Sequence, residues 1–324
     1  MINETPEIGF PISYLEDSPV IVLPKRLTVL EAVAFKQTVF DILQKQSPQS
    51  QIILDFSQTK FIDSSGIGAL IGNLKIAQQN GVELILESVQ PPVMATLSMT
   101  GLLEVLNIKS SEQWSSKEQP ETHPSIRSWM KRLIDIVGAI VGLTITAIII
   151  IPIAIAIKLD SPGPILFNQT RCGWMGKKFQ IWKFRSMCSD AEAMKKKIEN
   201  QASGAFFKND HDPRITSVGR FLRRTSLDEF PQFWNVLQGD MSLVGTRPPT
   251  PEEVESYQVP QWQRLDVKPG MTGEWQVNGR SRVRNFEDVI KLDLRYQANW
   301  SLQYDLQLIF KTVAVIFNKD SGAV

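Results

Sequence analysis

A run of twenty-two residues without a charged side chain, from Ile136 to Ile157, limits what this chain can fold into more than any other feature of the sequence. As a continuous α-helix the run would be about 33 Å long, which matches the thickness of the hydrocarbon core of a bilayer. A helix buried in a protein core is the alternative, but no face of this run is polar, and roughly twenty such residues are typical of membrane insertion. The run therefore predicts a segment that lies in a membrane.

Basic residues flank the apolar run on both sides. Positive charge marks the cytoplasmic side of a membrane segment, so a straight span would place one of the two basic clusters outside. Pro152 lies inside the run, where a proline removes an intrahelical hydrogen bond and bends the helix. We therefore expect residues 129–158 to form a bent, re-entrant helix that enters and leaves through the same leaflet. The flanking basic residues are Arg127, Lys131, Arg132, Lys158, Arg171, Lys177, Lys178 and Lys183.

The remaining sequence predicts two soluble domains joined by a linker, which a chain of 324 residues is long enough to supply. Residues 1–110 alternate short β-branched runs with helical patterns, which predicts an α/β domain with a mixed or parallel sheet. Residues 111–128 are dominated by Ser, Glu, Gln, Lys and Pro and predict the linker. Residues 159–324 predict a second, small α/β domain with basic and aromatic segments.

The charge balance and the small numbers of Cys and His argue against several classes of function. The 35 Lys and Arg residues nearly balance 34 Asp and Glu residues, so nucleic acid is not expected as a partner. Cys172 and Cys188 lack the spacing of a zinc site, and we expect two free thiols in a reducing compartment. His123 and His211 lie in polar stretches and do not predict metal ligands. The first twenty residues do not resemble a secretory signal.

The final aromatic stretch, residues 286–317, is amphipathic. Its Trp, Tyr and Phe residues suit a helix that lies at the level of the lipid headgroups. A helix packed against its own domain would show the same pattern, and the sequence does not decide between the two.

Two adjacent carboxylates, in the stretch TSLDEFPQFWN, have two interpretations. Ser226 and Glu229 have the spacing of a capping box, in which both side chains satisfy backbone N–H groups at a helix start. Alternatively, Asp228 is an ionised nucleophile. The second interpretation is favoured by nearby arginines, whose guanidinium groups can bind phosphate oxygens bidentately. These arginines are Arg220, Arg223, Arg224 and Arg247.

Residues 129–324 resemble the bacterial sugar transferase family, the monotopic phosphoglycosyl transferases that begin membrane glycan assembly on a polyprenyl phosphate carrier. Many motifs in one order carry this resemblance. They are the apolar run with Pro152, Phe167/Gln169/Arg171/Gly173, Lys183–Arg185, Ser226–Glu229, Asn235–Leu237, Gly239–Ser242, Gly245–Pro248, Pro269–Gly273 and Gln276–Arg280.

The resemblance implies an enzyme that moves a sugar 1-phosphate from a UDP-sugar to undecaprenyl phosphate, through an aspartyl-phosphosugar intermediate and with release of UMP. This is the first step of exopolysaccharide, capsule or O-antigen synthesis at the cytoplasmic face of the inner membrane. It implies Asp228 as nucleophile and Glu229 as its partner, with both carboxylates holding Mg²⁺, because a carboxylate that approaches a diphosphate needs a cation beside it. The implied substrate-binding residues are Arg171, Lys183, Arg223, Arg247, Gln276 and Arg280.

Two positions depart from the family pattern. Some relatives have Ser where this chain has Ile151, which weakens the expectation of a fixed bend at Pro152. Glu274 stands where an apolar residue is expected after Thr272–Gly273, and we expect it to bear on substrate choice.

The N-terminal domain resembles the STAS domain of anti-sigma factor antagonists, over about residues 10–110. The resemblance rests on the βα order and on the stretch FIDSSG. Ser64 and Ser65 precede a helix and are expected to cap it. Ser64 is also the position phosphorylated in those relatives, and a phosphate there would be stabilised by the helix N-terminus. The domain is thus either a switch or a docking module, with a kinase or another protein as partner.

A second hypothesis from another functional class uses the same features. The chain would then be a membrane-anchored regulator in which the transferase domain is an inactive scaffold and the STAS domain binds a protein. The intact Asp228–Glu229 pair and the surrounding motifs favour the enzyme. Association into a homo-oligomer is compatible with either hypothesis.

Overall fold

The computed structural model describes residues 9–16, 18–44, 50–109, 121–195, 198–205, 207, 209, 211–278 and 283–317. These residues form two compact units. Unit one comprises Met1–Thr122 with two later segments, Met175–Lys177 and Tyr257–Asp266. Unit two comprises His123–Trp174, Lys178–Ser256 and Val267–Val324.

Unit one is built from short strands that alternate with helices. Its elements are β1 (Ile12–Leu15), β2 (Ser18–Val22), β3 (Arg26–Leu27), α1 (Val29–Gln44), β4 (Gln51–Asp55), β5 (Phe61–Ile62), α2 (Ser64–Gln79), β6 (Glu83–Glu87), α3 (Pro91–Thr100) and β7 (Asn107–Lys109). Two 3₁₀ helices, Leu102–Glu104 and Val259–Leu265, complete it.

The main sheet of unit one has the order β1-β2-β4-β6-β7. Strands β2, β4, β6 and β7 are parallel, and β1 pairs antiparallel with β2 at one edge. The centres of β4 and β6 are buried, as expected for parallel strands covered on both faces. The predicted mixed α/β sheet is confirmed.

Helix α2 begins differently from the sequence-based expectation. The capping residue is Asp63, whose Oδ1 accepts a hydrogen bond of 2.9 Å from the Gly66 backbone N–H. Ser64 and Ser65 are the first two helical residues, so the expectation that they cap the helix is wrong. The reason is that an extended Asp63 places its carboxylate on the first turn, which leaves the Ser64 hydroxyl for another partner.

Unit two combines one long helix with small sheets and short helices. Its helices are α4 (Pro124–Arg127), α5 (Trp129–Asp160), α6 (Ala191–Lys195), α7 (Ser217–Arg224), α8 (Phe233–Gln238), α9 (Pro251–Glu255), α10 (Glu274–Asn278), α11 (Phe286–Ala298) and α12 (Leu302–Phe317). Its strands are β8 (Leu166–Cys172), β9 (Lys178–Phe184), β10 (Ser242–Val244) and β11 (Gly270–Thr272). A 3₁₀ helix, Leu227–Gln232, precedes α8. The α4 residues lie in the predicted linker, whose residues 111–120 are outside the described chain.

One face of α5 packs against unit two along most of the helix, and the other face is exposed and apolar. In length and composition α5 could cross a membrane, the one such helix among the described residues. The buried positions recur at helical spacing, whereas Ile148 and Ile151 are 71% and 67% exposed. The buried residues are Lys131, Asp135, Ala139, Gly142, Thr146, Ile153 and Ile157.

Polar bonds fasten the start of α5 to unit two. The Lys131 ammonium lies 2.7 Å from Asp305 Oδ2, and both side chains are buried. The Arg132 guanidinium donates to the backbone carbonyls of Val236 and Leu237, at the end of α8. These bonds satisfy carbonyls that a helix end leaves without an intrahelical partner.

Polar bonds also fasten the end of α5. The Arg185 guanidinium donates to the backbone carbonyls of Ser161 and Pro162, at 2.6 and 2.9 Å. Asp160 accepts from the backbone N–H of Val218 at the start of α7. Both ends of the apolar helix are therefore bonded to the same folded unit.

Helix α5 continues through Pro152 without interruption. A proline inside a helix removes one backbone hydrogen bond, but its fixed φ is compatible with helical geometry. Ile149, Ile150, Ile153 and Ile157 pack around Phe184 and Leu222 on both sides of this position, which holds the two halves in one helix. The re-entrant course of α5 in a membrane stays a prediction.

The final aromatic stretch forms two helices, α11 and α12, and combines the two interpretations of its sequence. Asp305 and Leu308 of α12 are buried against unit two, so one face packs on its own domain. Leu306, Phe310 and Val313 recur at helical spacing on an exposed face. This apolar stripe is suited to contact with lipid.

The contact between α5 and the Phe233 ring provides a test of this packing. A Cβ at Gly142 would lie 2.3 Å from Phe233 Cδ2. We expect Gly142→Ala to destabilise the protein by about 1–2 kcal/mol, because the overpacking outweighs the helix propensity that alanine adds. Thermal unfolding in lipid nanodiscs, followed by tryptophan fluorescence, measures this change. The control Val141→Ala, on the exposed face, should stay within about 0.5 kcal/mol of the wild type; equal midpoints for both variants would contradict the packing.

Candidate active site

The acidic pair lies on the 3₁₀ helix Leu227–Gln232, against the end of strand β9. Asp228 is buried, with 5% of its surface exposed. Glu229 Oε1 lies 2.9 Å from the Lys183 ammonium, and both side chains are about one quarter exposed. The predicted residues Asp228, Glu229 and Lys183 therefore lie together. The ammonium offsets one of the two adjacent negative charges of this pair.

The capping-box interpretation of Ser226 and Glu229 is wrong. Ser226 has a positive φ of 56° and its side chain makes no capping hydrogen bond. The Glu229 side chain instead reaches Lys183. A 3₁₀ helix that starts from this left-handed residue turns the pair toward β9 rather than back onto its own first turn.

The arginines near the pair differ in position. Arg223, in the last turn of α7, is partly buried and its Nε donates to the Ser186 hydroxyl at 3.2 Å. Arg220 and Arg224 are exposed. The hydrogen bond to Ser186 orients the Arg223 side chain toward the segment that follows Lys183.

A second cluster joins Arg171 and Arg247. Arg247 forms two hydrogen bonds with the Glu253 carboxylate, of 2.8 and 3.0 Å. Arg171 donates to the backbone carbonyl of Pro248 at 2.9 Å and to Gln169 Oε1 at 2.8 Å. These bonds hold the loop that contains Arg247. They also orient the Arg247 guanidinium, a bidentate donor whose carboxylate partner is Glu253.

Electrostatics in this cluster follow from burial and from the two adjacent guanidinium groups. Burial, together with the neighbouring Arg247, lowers the pKa of Arg171 to about 10. The pKa of Glu253 is lowered despite burial, because Arg247 and Arg171 stabilise its charged form. Glu229 acts on Arg171 with the opposite sign to Arg247, so the acidic pair and the arginine cluster influence one another.

The β8–β9 hairpin sets the spacing between the two groups. Arg171 pairs with Phe179, and Phe167 pairs with Lys183. Four residues of β9 therefore separate the two cations, a distance of about 13 Å along the strand. A ligand that contacts both cations is expected to carry negative charge.

Gln276 lies on α10, close to the loop that contains Arg247. A Cβ at Gly273 would lie 3.1 Å from Gln276 Oε1 and 2.0 Å from the Gly245 carbonyl oxygen. Gln276 Oε1 and Trp275 Nε1 are buried polar atoms without a hydrogen-bond partner among the described residues. Such atoms are normally satisfied, which marks this helix as a candidate contact for a ligand. The predicted Arg280 lies outside the described residues.

The donor set at the acidic pair is compatible with Mg²⁺. Across the described parts of the chain, no group of three or more His, Cys, Asp or Glu side chains could hold a metal alone. Mg²⁺ is commonly held by one or two carboxylates together with substrate phosphates and water. The hard oxygen donors of Asp228 and Glu229 fit that arrangement.

Several residues that shape the site were not predicted from the sequence. Glu253 is one, although Thr250-Pro-Glu-Glu253 has the spacing of a capping box, which the structure contains. Arg185, predicted only as part of a motif, caps α5. Glu274 bonds to Arg295 and Tyr304 inside unit two, and its effect on substrate choice stays a prediction.

Ser64 in unit one is fully buried. Its hydroxyl donates to the backbone carbonyl of Trp262 at 2.6 Å, and its backbone N–H donates to Asp266 Oδ1 at 2.9 Å. Phosphorylation of Ser64 stays a prediction. In the described structure the hydroxyl is not accessible to a kinase.

Comparison with known protein families matches both parts of the chain. The family described as bacterial sugar transferase matches residues 126–319. The STAS domain family matches residues 15–114.

Curated relatives are similar to the second part. Over 188 residues the chain is 50% identical to a galactosyl transferase, CpsE, of Streptococcus agalactiae, covering 57% of this chain and 42% of the relative. It is 43% identical over 192 residues to a UDP-glucose:undecaprenyl-phosphate glucose-1-phosphate transferase of Escherichia coli, covering 57% of this chain and 39% of the relative. The chain thus spans less than half the length of these relatives.

A solved structure is similar to the first part. It is an anti-sigma-factor antagonist (STAS) domain protein from Planctomyces limnophilus, with 24% identity and a TM-score of 0.29. The match covers 32% of this chain and 92% of that chain.

The Arg247–Glu253 pair predicts a pH-dependent contribution to stability. Because the folded pKa of Glu253 lies below its ordinary value, the pair stabilises the protein above about pH 4.5, and this contribution is lost as the pH falls through the folded pKa. We expect Glu253→Gln to cost about 2–4 kcal/mol at pH 7, since it leaves Arg247 partly buried without its carboxylate.

Thermal unfolding midpoints between pH 3.5 and pH 7 measure the difference from the wild type. The difference should shrink in the acid range. Glu255→Gln, on the exposed side of the same helix, is the control and should change little. A Glu253→Gln deficit that is the same at every pH would contradict the ion pair.

Proposed function

Because the chain belongs to the bacterial sugar transferase family, we propose that it transfers a sugar 1-phosphate from a UDP-sugar to undecaprenyl phosphate and releases UMP. The product would begin the synthesis of a membrane-linked polysaccharide. The observation that supports this proposal most strongly is the buried Asp228 beside the Glu229–Lys183 ion pair, about 13 Å along strand β9 from the Arg171–Arg247 cluster. The names of the similar curated transferases support the same assignment.

The proposed first step forms a covalent intermediate. A carboxylate oxygen of Asp228 attacks the β-phosphorus of the UDP-sugar, and the bond from this phosphorus to the bridging oxygen breaks. The electron pair leaves with UMP, and the sugar phosphate remains on Asp228 as an acyl phosphate. The burial of Asp228 supports this step, because phosphoryl transfer depends chiefly on positioning and charge neutralisation.

The second step regenerates the enzyme. A phosphate oxygen of undecaprenyl phosphate attacks the same phosphorus, and the acyl-phosphate bond breaks to restore the Asp228 carboxylate. Lys183 holds the Glu229 carboxylate in place beside the reacting centre, while Arg223 and Arg247 supply guanidinium groups for phosphate oxygens. When bound at Asp228 and Glu229, Mg²⁺ would neutralise charge on the diphosphate.

The lipid substrate is consistent with the surface of unit two. The exposed face of α5 and the stripe Leu306, Phe310 and Val313 on α12 are apolar, and each lies on a helix whose other face belongs to this unit. A domain fastened to both ends of α5 supports a helix that stays in one leaflet, with both domains on the cytoplasmic side of the inner membrane.

The Asp228 carboxylate is tested by Asp228→Asn. We expect UMP release from UDP-sugars, measured with undecaprenyl phosphate in nanodiscs, to fall by at least about a thousandfold, because the amide cannot form the acyl phosphate. Asp288→Asn, which alters an exposed ion pair on α11, should retain wild-type turnover. Turnover of Asp228→Asn at the wild-type rate would contradict the proposal, and a wild type without turnover would favour the inactive-scaffold hypothesis.

The topology is tested by labelling single cysteines in a background free of Cys172 and Cys188. Cysteines placed at Lys158 and at Arg127, on either end of α5, should both react with a membrane-impermeant maleimide only after the cytoplasmic side is opened. Labelling of one end from the outside of intact cells would contradict the re-entrant course.

A further inference from the structure

Residues 257–266, here called the docking segment, fold as part of unit one although they follow α9 of unit two in the chain. The segment contains the 3₁₀ helix Val259–Leu265 and packs on helices α1 and α2. It lies within the range that matches the sugar transferase family, residues 126–319. A stretch of the transferase sequence is therefore held by the STAS unit.

Trp262 anchors this segment in a slot that only glycine permits. A Cβ at Gly68 would lie 2.4 Å from Trp262 Cδ2, and a Cβ at Gly176 would lie 2.9 Å from Trp262 Cζ3. The indole is 8% exposed. A large aromatic side chain seated on bare backbone is the usual form of an anchor residue at a recognition surface.

The start of α2 supplies the polar part of the contact. The Ser64 hydroxyl donates a hydrogen bond to the Trp262 carbonyl, and the Ser64 backbone N–H donates one to the Asp266 carboxylate. Asp63 binds the Gly66 N–H beside them. Two carboxylates, Asp63 and Asp266, therefore lie at one helix start, an arrangement with like-charge repulsion that a purely structural contact does not need.

The two ends of the docking segment connect directly to the elements that hold Arg247. On one side, Ser256 follows α9, which carries Glu253, the carboxylate partner of Arg247. On the other side, Val267 leads to Pro269, which forms a bridge with Thr246, the residue before Arg247. A change in the segment is thus transmitted through a few covalently linked residues to the arginine.

We propose that the face of unit one around Ser64 and Gly68 is a docking surface whose occupant is the chain's own segment 257–266, and that its occupancy positions Arg247 for the nucleotide-sugar donor. The coupling to the donor rests on the function proposed above, whereas the docking does not. Any protein that binds this face, and any modification of Ser64, requires the segment to leave.

The carboxyl pair makes the docking sensitive to pH. Burial, followed by the charge of Asp266, raises the pKa of Asp63 to about 7, and Glu31 of α1 adds to the effect. Burial also raises the pKa of Asp266, against its hydrogen bonds from Ser64. Since the docked state binds more protons, docking is strongest in acid and weakens as the pH rises through about 7. The docking equilibrium constant falls by at most about tenfold per pH unit for each carboxyl.

Hydrogen–deuterium exchange on the full chain in nanodiscs tests the docking. We expect Gly68→Ala and Trp262→Ala to increase exchange of residues 257–266 on the order of tenfold or more, with β4 and β6 still protected. Gly72→Ala is the matched control, because a Cβ there meets nothing within 4 Å, and it should match the wild type. Unchanged protection of the segment in Trp262→Ala would overturn the proposal, even if Gly68→Ala fails to fold.

Two further measurements separate the parts of the proposal. In the wild type, the hydrogen exchange rate of the docking segment, relative to intrinsic rates, should rise between pH 5.5 and pH 8.5. Asp63→Asn should flatten this rise, and an identical rise in Asp63→Asn would refute the carboxyl pair as its cause.

In variants with a released segment, KM for the UDP-sugar should rise several-fold while kcat changes less. An unchanged KM in such a variant overturns the coupling, whereas a wild type without turnover overturns the proposed function and leaves the docking result intact.

Discussion

The packing of α5 onto unit two is the constraint on which the account of this protein depends. Without it, an apolar helix of this length would be an independent membrane anchor, and the soluble domain could sit at any distance from the lipid. The buried Lys131–Asp305 pair at one end and the Arg185 cap at the other make the helix part of the domain. The fold itself then fixes the site relative to this apolar helix.

The same fastening connects the acidic pair to the apolar helix. Ile153 and Ile157 of α5 belong to the hydrophobic cluster that also contacts Leu227 and Phe230, the neighbours of Asp228 and Glu229 in the chain. The 3₁₀ helix that carries the acidic pair is thus packed against the helix that provides the exposed apolar surface. The arginine cluster lies about 13 Å away along the hairpin.

Much of the fold and part of the site could be predicted from sequence because their signals are local or repeated. The alternation of short β-branched runs with helical patterns predicted a mixed or parallel sheet, and the charge-free run predicted a helix with the composition of a membrane segment. The co-location of Asp228 with Lys183 followed from motif resemblance. Other features depend on partners far apart in the chain, such as Arg132 with the carbonyls of α8, and no local pattern reveals them.

The errors have physical causes of the same kind. The sequence predicted that Ser64 caps α2, but Asp63 provides the cap. The Ser64 hydroxyl bonds instead to the backbone carbonyl of Trp262, almost two hundred residues later. Ser226 and Glu229 have capping-box spacing, yet a left-handed Ser226 and the nearby Lys183 redirect the glutamate. In both cases a tertiary partner competes with the local motif for the same side chain.

Covalent loading of Asp228 with a sugar phosphate, as proposed here, is tested by mass spectrometry of the full-length protein quenched in acid after exposure to UDP-sugar without lipid acceptor. We expect a sugar-phosphate adduct on the peptide that contains Asp228, and loss of this adduct when undecaprenyl phosphate is added. Formation of product lipid by a protein that never carries an adduct, or that carries it on another residue, would contradict it.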